Sequence, residues 1–374
     1  MALRNVCIRV VVMALLPFTV GPVQGIDWPQ FMCNAQHNGD AREEQLDPPL
    51  HLNAQVRLDD AVLSSPVIVA GRIYVVDQMG TAYGIELKTG LIAWKTAPED
   101  SKTFGSNTSS PCVAKGRVFY GTIAGNLHIL SAGNGTLIRS IKYDWPIMDA
   151  ITYTNDSVYF QTLNGVVHCL DLDGHTRWVW DQYTLTRESE ITNGQPPRTG
   201  KILWRTNEAY ASQTGTPSYK DGRIYLPGAY KLPISCLSAQ NGEIIWQQES
   251  IVDRWHVEIC ALGPDYFTVN NKYEGGAWRW NLTDGSIVGS LDNPVQLCGS
   301  SHGCGAVVLA SEGYALSATL EGIFAVNCET GKVIWKSPGF ASWACPHPIA
   351  ANGRMFYCPQ VNDMLYCFEP ASSP

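Results

Sequence analysis

The sequence predicts an all-β protein, a seven-bladed β-propeller of four-stranded antiparallel blades whose ring is closed by an N-terminal strand. Three observations carry that expectation. A strand–turn–strand segment recurs roughly every 40–45 residues, the period of a propeller blade. Each copy punctuates its strands with Gly, Asn or Asp where a hairpin needs positive φ. A Trp falls four residues after the turn glycine in Gly90/Trp94, Gly174/Trp178, Gly242/Trp246 and Gly331/Trp335.

The clearest copy is the first. Ser64-Ser65-Pro66-Val67-Ile68-Val69 leads through Ala70-Gly71 into Arg72-Ile73-Tyr74-Val75, and Gly80 precedes a third strand through Leu87. Lys88-Thr89-Gly90 then turns the chain into a strand ending in Trp94. The second copy runs from Ser109-Ser110-Pro111 to Asn134-Gly135, the third contains Asp156–Phe160 and Asp173-Gly174, and the fourth contains Gly222–Leu226 and Asn241-Gly242. The fifth holds Asp265-Tyr266-Phe267 and Asp284-Gly285, the sixth Gly313–Leu316 and Thr330-Gly331, and the seventh Gly353–Tyr357. The seventh stops at Phe368, one strand short. Residues 50–58 alternate as a strand does and are expected to complete it, so that no sheet faces an open gap. The flat Trp side chains suit packing between neighbouring blades.

Residues 181–212 form an insertion between the third and fourth copies, with its own Thr199-Gly200-Lys201-Ile202-Leu203-Trp204. That stretch is either the outer strand of blade three or a decoration on an inter-blade loop. Long loops on rigid scaffolds often carry function.

Residues 1–25 read as a secretory leader: Arg4 and Arg9, an apolar stretch over residues 10–20, and Val23-Gln24-Gly25 as a small-residue cleavage site. A single propeller domain over 26–374 is expected to follow, secreted or periplasmic, with no transmembrane span. The formal charge is −8; loss of Arg4 and Arg9 lowers it by two. With no basic patch, nucleic acid is a poor partner. Of the twelve cysteines, Cys169, Cys236 and Cys367 share one place in the third strand of their blades, where blade six has Ala325. This reads as Cys used as a small buried residue.

No phosphate loop, nucleophile elbow or metalloprotease motif is present. The propeller centre is the default site, and the inner strands are expected to begin near Ser64, Ser109, Asp149, Thr214, His256, His302 and Cys345. Candidate central-funnel residues are therefore Asp149, His256, Glu258, His302, Cys304, Cys345 and His347. Their donor types suit metals, a polar funnel, or a Cys304–Cys345 disulfide; Asp149 and Glu258 could act as paired carboxylates or hold calcium. No catalytic residue or metal site is assigned from them. Trp255, Trp278, Trp280 and Trp343 offer sugar-stacking surfaces, with core packing as the competing use. Sequons occur at Asn107, Asn134, Asn155 and Asn281.

The pattern Ser-Ser-Pro-Val-x-x-x-Gly-Arg-Ile-Tyr-Val, followed by Glu-Leu-Lys-Thr-Gly-x-x-x-Trp, resembles the pyrroloquinoline-quinone-like (PQQ-like) propeller repeat. Asp27-Trp28-Pro29-Gln30-Phe31 with Gln36-His37-Asn38-Gly39 is similar to the opening of exported bacterial members. The resemblance implies two branches. Quinoprotein dehydrogenases are eight-bladed and hold PQQ and calcium, typically against adjacent cysteines; this chain has no Cys-Cys pair, and no cofactor residue carries over. BamB-like proteins are non-catalytic envelope scaffolds that normally carry a lipobox Cys, which is missing here. The favoured reading is an exported, non-enzymatic propeller that binds a protein, peptide or polymer partner on one face and needs no cofactor. The alternative is a PQQ- and calcium-dependent oxidoreductase.

Overall fold

The computed structural model describes residues 25–97, 109–181, 203–204, 206, 209, 217–226, 233–249, 259–271, 276–290, 293–294, 308–319, 322–330, 332–340, 347–359 and 362–371. The protein is an all-β propeller of four-stranded antiparallel blades. In the first blade, Val67–Val69, Arg72–Val76, Ala82–Glu86 and Ile92–Thr96 pair in chain order. The units at 112–142, 152–181, 218–248 and 308–337 repeat that order.

In five of the six four-stranded blades the first turn follows from its sequence. Ala70-Gly71, Lys115-Gly116, Asn155-Asp156, Asp221-Gly222 and Asn352-Gly353 all place two successive residues at positive φ. That is the turn whose twist matches a two-residue hairpin, and Gly, Asn and Asp enter it at least cost.

The last blade is Ile349–Ala351, Arg354–Tyr357 and Met364–Pro370, with Leu50–Arg57 as its fourth, antiparallel strand. Ala54 lies opposite Cys367 and Val56 opposite Leu365, so the apolar face of the N-terminal strand enters the core.

Six sheets among the described residues are four-stranded blades, not seven. The unit expected as the fifth is three-stranded: Ile259–Leu262, Tyr266–Asn271 and Gly276–Asn281. After the turn at Asp284-Gly285, Ile287 makes one bridge to Trp280 and the chain bends at Val288. Gly289-Ser290 then pairs with Asn293-Pro294 instead. The reason is visible in sequence: the place where other outer strands carry Trp is held here by Gly289, which has no side chain to anchor a strand.

Two of the repeated Trp lock their blade to the next. Trp94 Nε1–H donates to the carbonyl of Ala132, just past the third strand of blade two, at 3.1 Å; Trp246 does the same to Leu282 at 3.1 Å. Within its own blade, each Trp faces a small partner: Gly84, Cys169, Cys236 or Ala325. A Cβ on Gly84 would lie 2.3 Å from the Trp94 ring. Arg139 replaces Trp in blade two and reaches the Asp173 carbonyl at 3.0 Å.

The two sequence alternatives for the insertion are resolved against the first. Blade three takes Thr176–Asp181 as its outer strand, with Trp178 opposite Cys169. Trp204 instead docks on blade four: its Nε1–H donates to Ala239 at 2.9 Å, and its ring covers Gly242. It thus makes toward blade four the contact that Trp94 makes toward blade two.

Seven cysteines have described side chains, at 33, 112, 169, 236, 328, 358 and 367; all are buried, and none is bonded to another of the seven. A Cys304–Cys345 bridge lies outside the described residues. No helix among the described residues is long and apolar enough to cross a membrane.

Candidate functional site

In an antiparallel four-stranded blade, the first and third turns share one end. The second turn and the inter-blade linker share the other. The central channel therefore has two distinct mouths, and the described residues build them differently.

The mouth on the first-turn side is filled by residues 26–46, a segment whose residues precede the first strand. It circles the channel and meets each unit in turn. Trp28 exchanges two backbone bonds with Ile68 in blade one, at 2.7 and 2.8 Å. Val113 N–H in blade two donates to Pro29 at 2.8 Å. In blade three, Gln30 holds both peptide groups of Tyr153, and His37 Nε2 lies 3.1 Å from Thr152 Oγ1. Tyr219 N–H in blade four donates to Gln36, and Leu262 N–H in unit five to Asn38. Leu309 in blade six accepts from Ala41 and donates to Gly39. Glu44, buried, accepts N–H groups from Ile26 and from Gly353 of the last blade. The segment is a plug.

Inner strands of three residues leave an unpaired backbone edge toward the channel, and the plug satisfies it. The plug curves because Met32, Cys33, His37, Gly39 and Gln45 all take positive φ. Phe31 packs inward, with its ring 5.7 Å from His37 and 5.1 Å from His347. Burial in this apolar centre holds the His37 imidazole down to about 4 and His347 to about 3, so both are neutral at pH 7.

The other mouth, on the linker side, is where the sequence expects the funnel residues. Of these, Asp149 and His347 are described; His256, Glu258, His302, Cys304 and Cys345 lie outside the described residues, as do Trp255 and Trp343. The described strands begin at Val67, Cys112, Thr152 and Ile349, a few residues after the expected starts, so Ser64, Ser109, Asp149 and His347 sit on the linkers ahead of them.

The Ser-Ser-Pro motif acts there as a latch between blades. His347 N–H donates to Ser65 Oγ at 3.3 Å, and Ser65 N–H donates to Ser110 Oγ at 3.0 Å. Ser109 Oγ donates to the Asp149 carbonyl at 3.0 Å and accepts from Gly121 N–H at 3.2 Å. The structure thus places Asp149 and His347 in separate parts of a structural network. The Asp149 side chain stays exposed at its rim, with its carboxyl pushed above the ordinary range by partial desolvation. On the same linker-side face, Trp145 is 50% and Leu163 63% exposed, brought together by Leu163 N–H donating to the Pro146 carbonyl at 2.9 Å.

A quinone held with calcium needs several oxygen donors converging on one point. Among the described residues no three His, Cys, Asp or Glu side chains converge. His347 is buried against Phe31, and the serines at the mouth are spent on blade contacts. The described residues do not fit that group.

Sequence reasoning missed Gln30, Phe31, His37 and Glu44 as channel residues. The available signal was a run of amide side chains, Gln30, Asn34, Gln36 and Asn38, in a segment without strand alternation.

Comparison with known proteins gives a consistent placement. Residues 54–144 and 187–338 match a family described as "Outer membrane protein assembly factor BamB". A protein of that description from Yersinia pestis is 24% identical over 307 residues, covering 79% of this chain and 69% of its own. Quinohemoprotein alcohol dehydrogenase ADH-IIG of Pseudomonas putida is 22% identical over 257 residues; the match spans 63% of this chain but 36% of the dehydrogenase. Among solved structures, BamB of Moraxella catarrhalis superposes with a TM-score of 0.56 at 15% identity, covering 87% of this chain and 99% of its own. The quinohemoprotein alcohol dehydrogenase of Comamonas testosteroni gives 0.70 at 15% identity, covering 93% and 81%. At such identities the structural likeness establishes the fold.

Proposed function

Given that the chain belongs to the BamB family of PQQ-like propeller repeat proteins, we propose that it is an exported, non-catalytic scaffold that docks a protein or peptide partner in the cell envelope. In this reading residues 26–374 form one domain, and the N-terminal strand in the last blade closes the ring. The partner is a component or client of outer-membrane protein assembly, by analogy with the relatives' description.

One observation carries the proposal. The plug occupies the first-turn mouth by bonding to every unit, which leaves the linker-side face for binding. That face presents Trp145 and Leu163 to solvent. Exposed aromatic and aliphatic side chains on a rigid rim are characteristic binding anchors.

Thermal unfolding with pyrroloquinoline quinone, with and without calcium, tests the non-catalytic part. A ligand at 100 times its Kd stabilises by about 2.7 kcal/mol. The scaffold reading expects no shift. A saturable, calcium-dependent rise in Tm overturns it in favour of an oxidoreductase.

A further inference from the structure

Ile26, the first residue of the plug, is clamped at both of its backbone groups. Its nitrogen lies against Glu44 Oε1, and its carbonyl accepts from Asn352 Nδ2 at 3.3 Å. The second oxygen of Glu44 accepts Gly353 N–H. Glu44 is buried, and among the described residues it pairs with no Lys, Arg or His. A buried carboxylate held only by neutral amides is costly, and a cation beside it offsets that cost.

The surroundings suit an added positive charge. A cavity of about 430 Å³ beside Ile26 is lined by Asp40, Arg42, Glu43 and Glu312. Its guanidinium is already committed, to Asp40 at 2.8 Å and Glu312 at 3.1 Å. On the other side of Ile26, the chain leaves no room. A Cβ on Gly25 would stand 2.2 Å from Asn352 Cα, 2.6 Å from Asn352 N and 2.8 Å from Glu44 Oε2. Gly25 is also the last residue of the small-residue cleavage site.

We propose that the chain is cut between Gly25 and Ile26 on export, and that the freed α-ammonium of Ile26 forms a buried ion pair with Glu44 that pins the plug to the last blade. The proposal rests on the reading of residues 1–25 as an export leader. Hydrolysis consumes one water. Gly25 leaves with the new carboxylate, and the Ile26 nitrogen takes a proton, since an α-amine has a pKa of about 7.7–8.0. The nitrogen stays where a neutral amide now donates, but it carries a full charge and three N–H groups instead of one. Removal of the leader thereby becomes the step that completes the folded plug.

Two measurements test the two halves separately. The intact mass and N-terminal sequence of the exported protein should place its first residue at Ile26; a different first residue overturns the cleavage. Independently, full-length mature chains are released from a fusion so as to begin at Ile26, at Gly25, or at an N-acetylated Ile26. The free Ile26 form should melt several degrees above the other two, and Glu44→Gln should abolish that difference. Equal melting temperatures for the free and acetylated forms overturn the ion pair, even where cleavage at Gly25 holds. If Glu44→Gln does not fold, the comparison of free with acetylated Ile26 decides alone.

Discussion

The side-chain amide of Gln30 pairs with Tyr153 as a strand would: Tyr153 N–H donates to Gln30 Oε1 at 2.7 Å, and Gln30 Nε2 donates to the Tyr153 carbonyl at 3.3 Å. A side chain thus completes the inner edge of blade three, where the backbone of the plug completes the edges of blades one and two. Gln30 is buried, and Cys112 Sγ lies 3.8 Å from the same Oε1. Gln30→Leu should leave a buried N–H and C=O without partners and destabilise the fold by about 2–4 kcal/mol. Chemical denaturation measures this directly. A change below about 0.5 kcal/mol would mean that the plug is not part of the cooperative fold.

Trp94 and Trp204 make equivalent bonds to consecutive-blade carbonyls, although Trp204 belongs to the insertion. Trp94→Ala should cost about 3–5 kcal/mol, the usual loss for a buried Trp, and Trp204→Ala, at a half-buried ring making the same bond, a comparable but smaller amount. Their unfolding midpoints, compared side by side, test the equivalence. A negligible effect at Trp204 would make the insertion mere decoration.

Much of the fold was legible because turns and packing repeat. Gly and Asn at positive φ, Trp at a fixed offset, and small residues opposite it all carry the same constraint in several copies. The fifth unit misled because its strands and turn look regular while Gly289 removes the anchor of the fourth strand. The plug was illegible for another reason. Its contacts are backbone bonds at positive φ to strands far along the chain, and such pairing leaves no periodic trace. Of the funnel candidates picked by donor type at strand starts, the two described ones have structural places: His347 is neutral, buried core, and the Asp149 carbonyl accepts from the latch serine Ser109.

Acid should weaken the fold through its buried histidines. His37 and His347 have native values held down to about 4 and about 3, against an ordinary 6.5 in the unfolded chain. His168 is lowered in the same sense by burial. Between pH 6.5 and 4 the unfolded state binds the protons that the native state refuses. Stability therefore falls as pH drops through that window, by about 1.4 kcal/mol per pH unit for each such imidazole. Replacing His37 and His347 with Gln should flatten the slope of stability against pH. An unchanged slope would show that neither ring is neutral and buried.

The seven buried thiols should resist alkylation. Burial pushes Cys33, Cys112 and Cys367 up to about 12 and raises Cys358 further. A thiol in that state is neither ionised nor accessible at pH 8. Peptide mapping after brief iodoacetamide treatment should find all seven unmodified in the native protein and modified in denaturant. Rapid native labelling of Cys33 would mean that the plug opens.

The most direct measurement compares the two faces. A photo-crosslinking residue is placed at Trp145 or Leu163 on the linker side, and at exposed Lys88 on the plugged side. After irradiation in envelopes, adducts are identified by mass spectrometry. The account predicts one outer-membrane protein or assembly component captured at both Trp145 and Leu163, and none at Lys88. Capture of that polypeptide at Lys88, or at neither face, would contradict it.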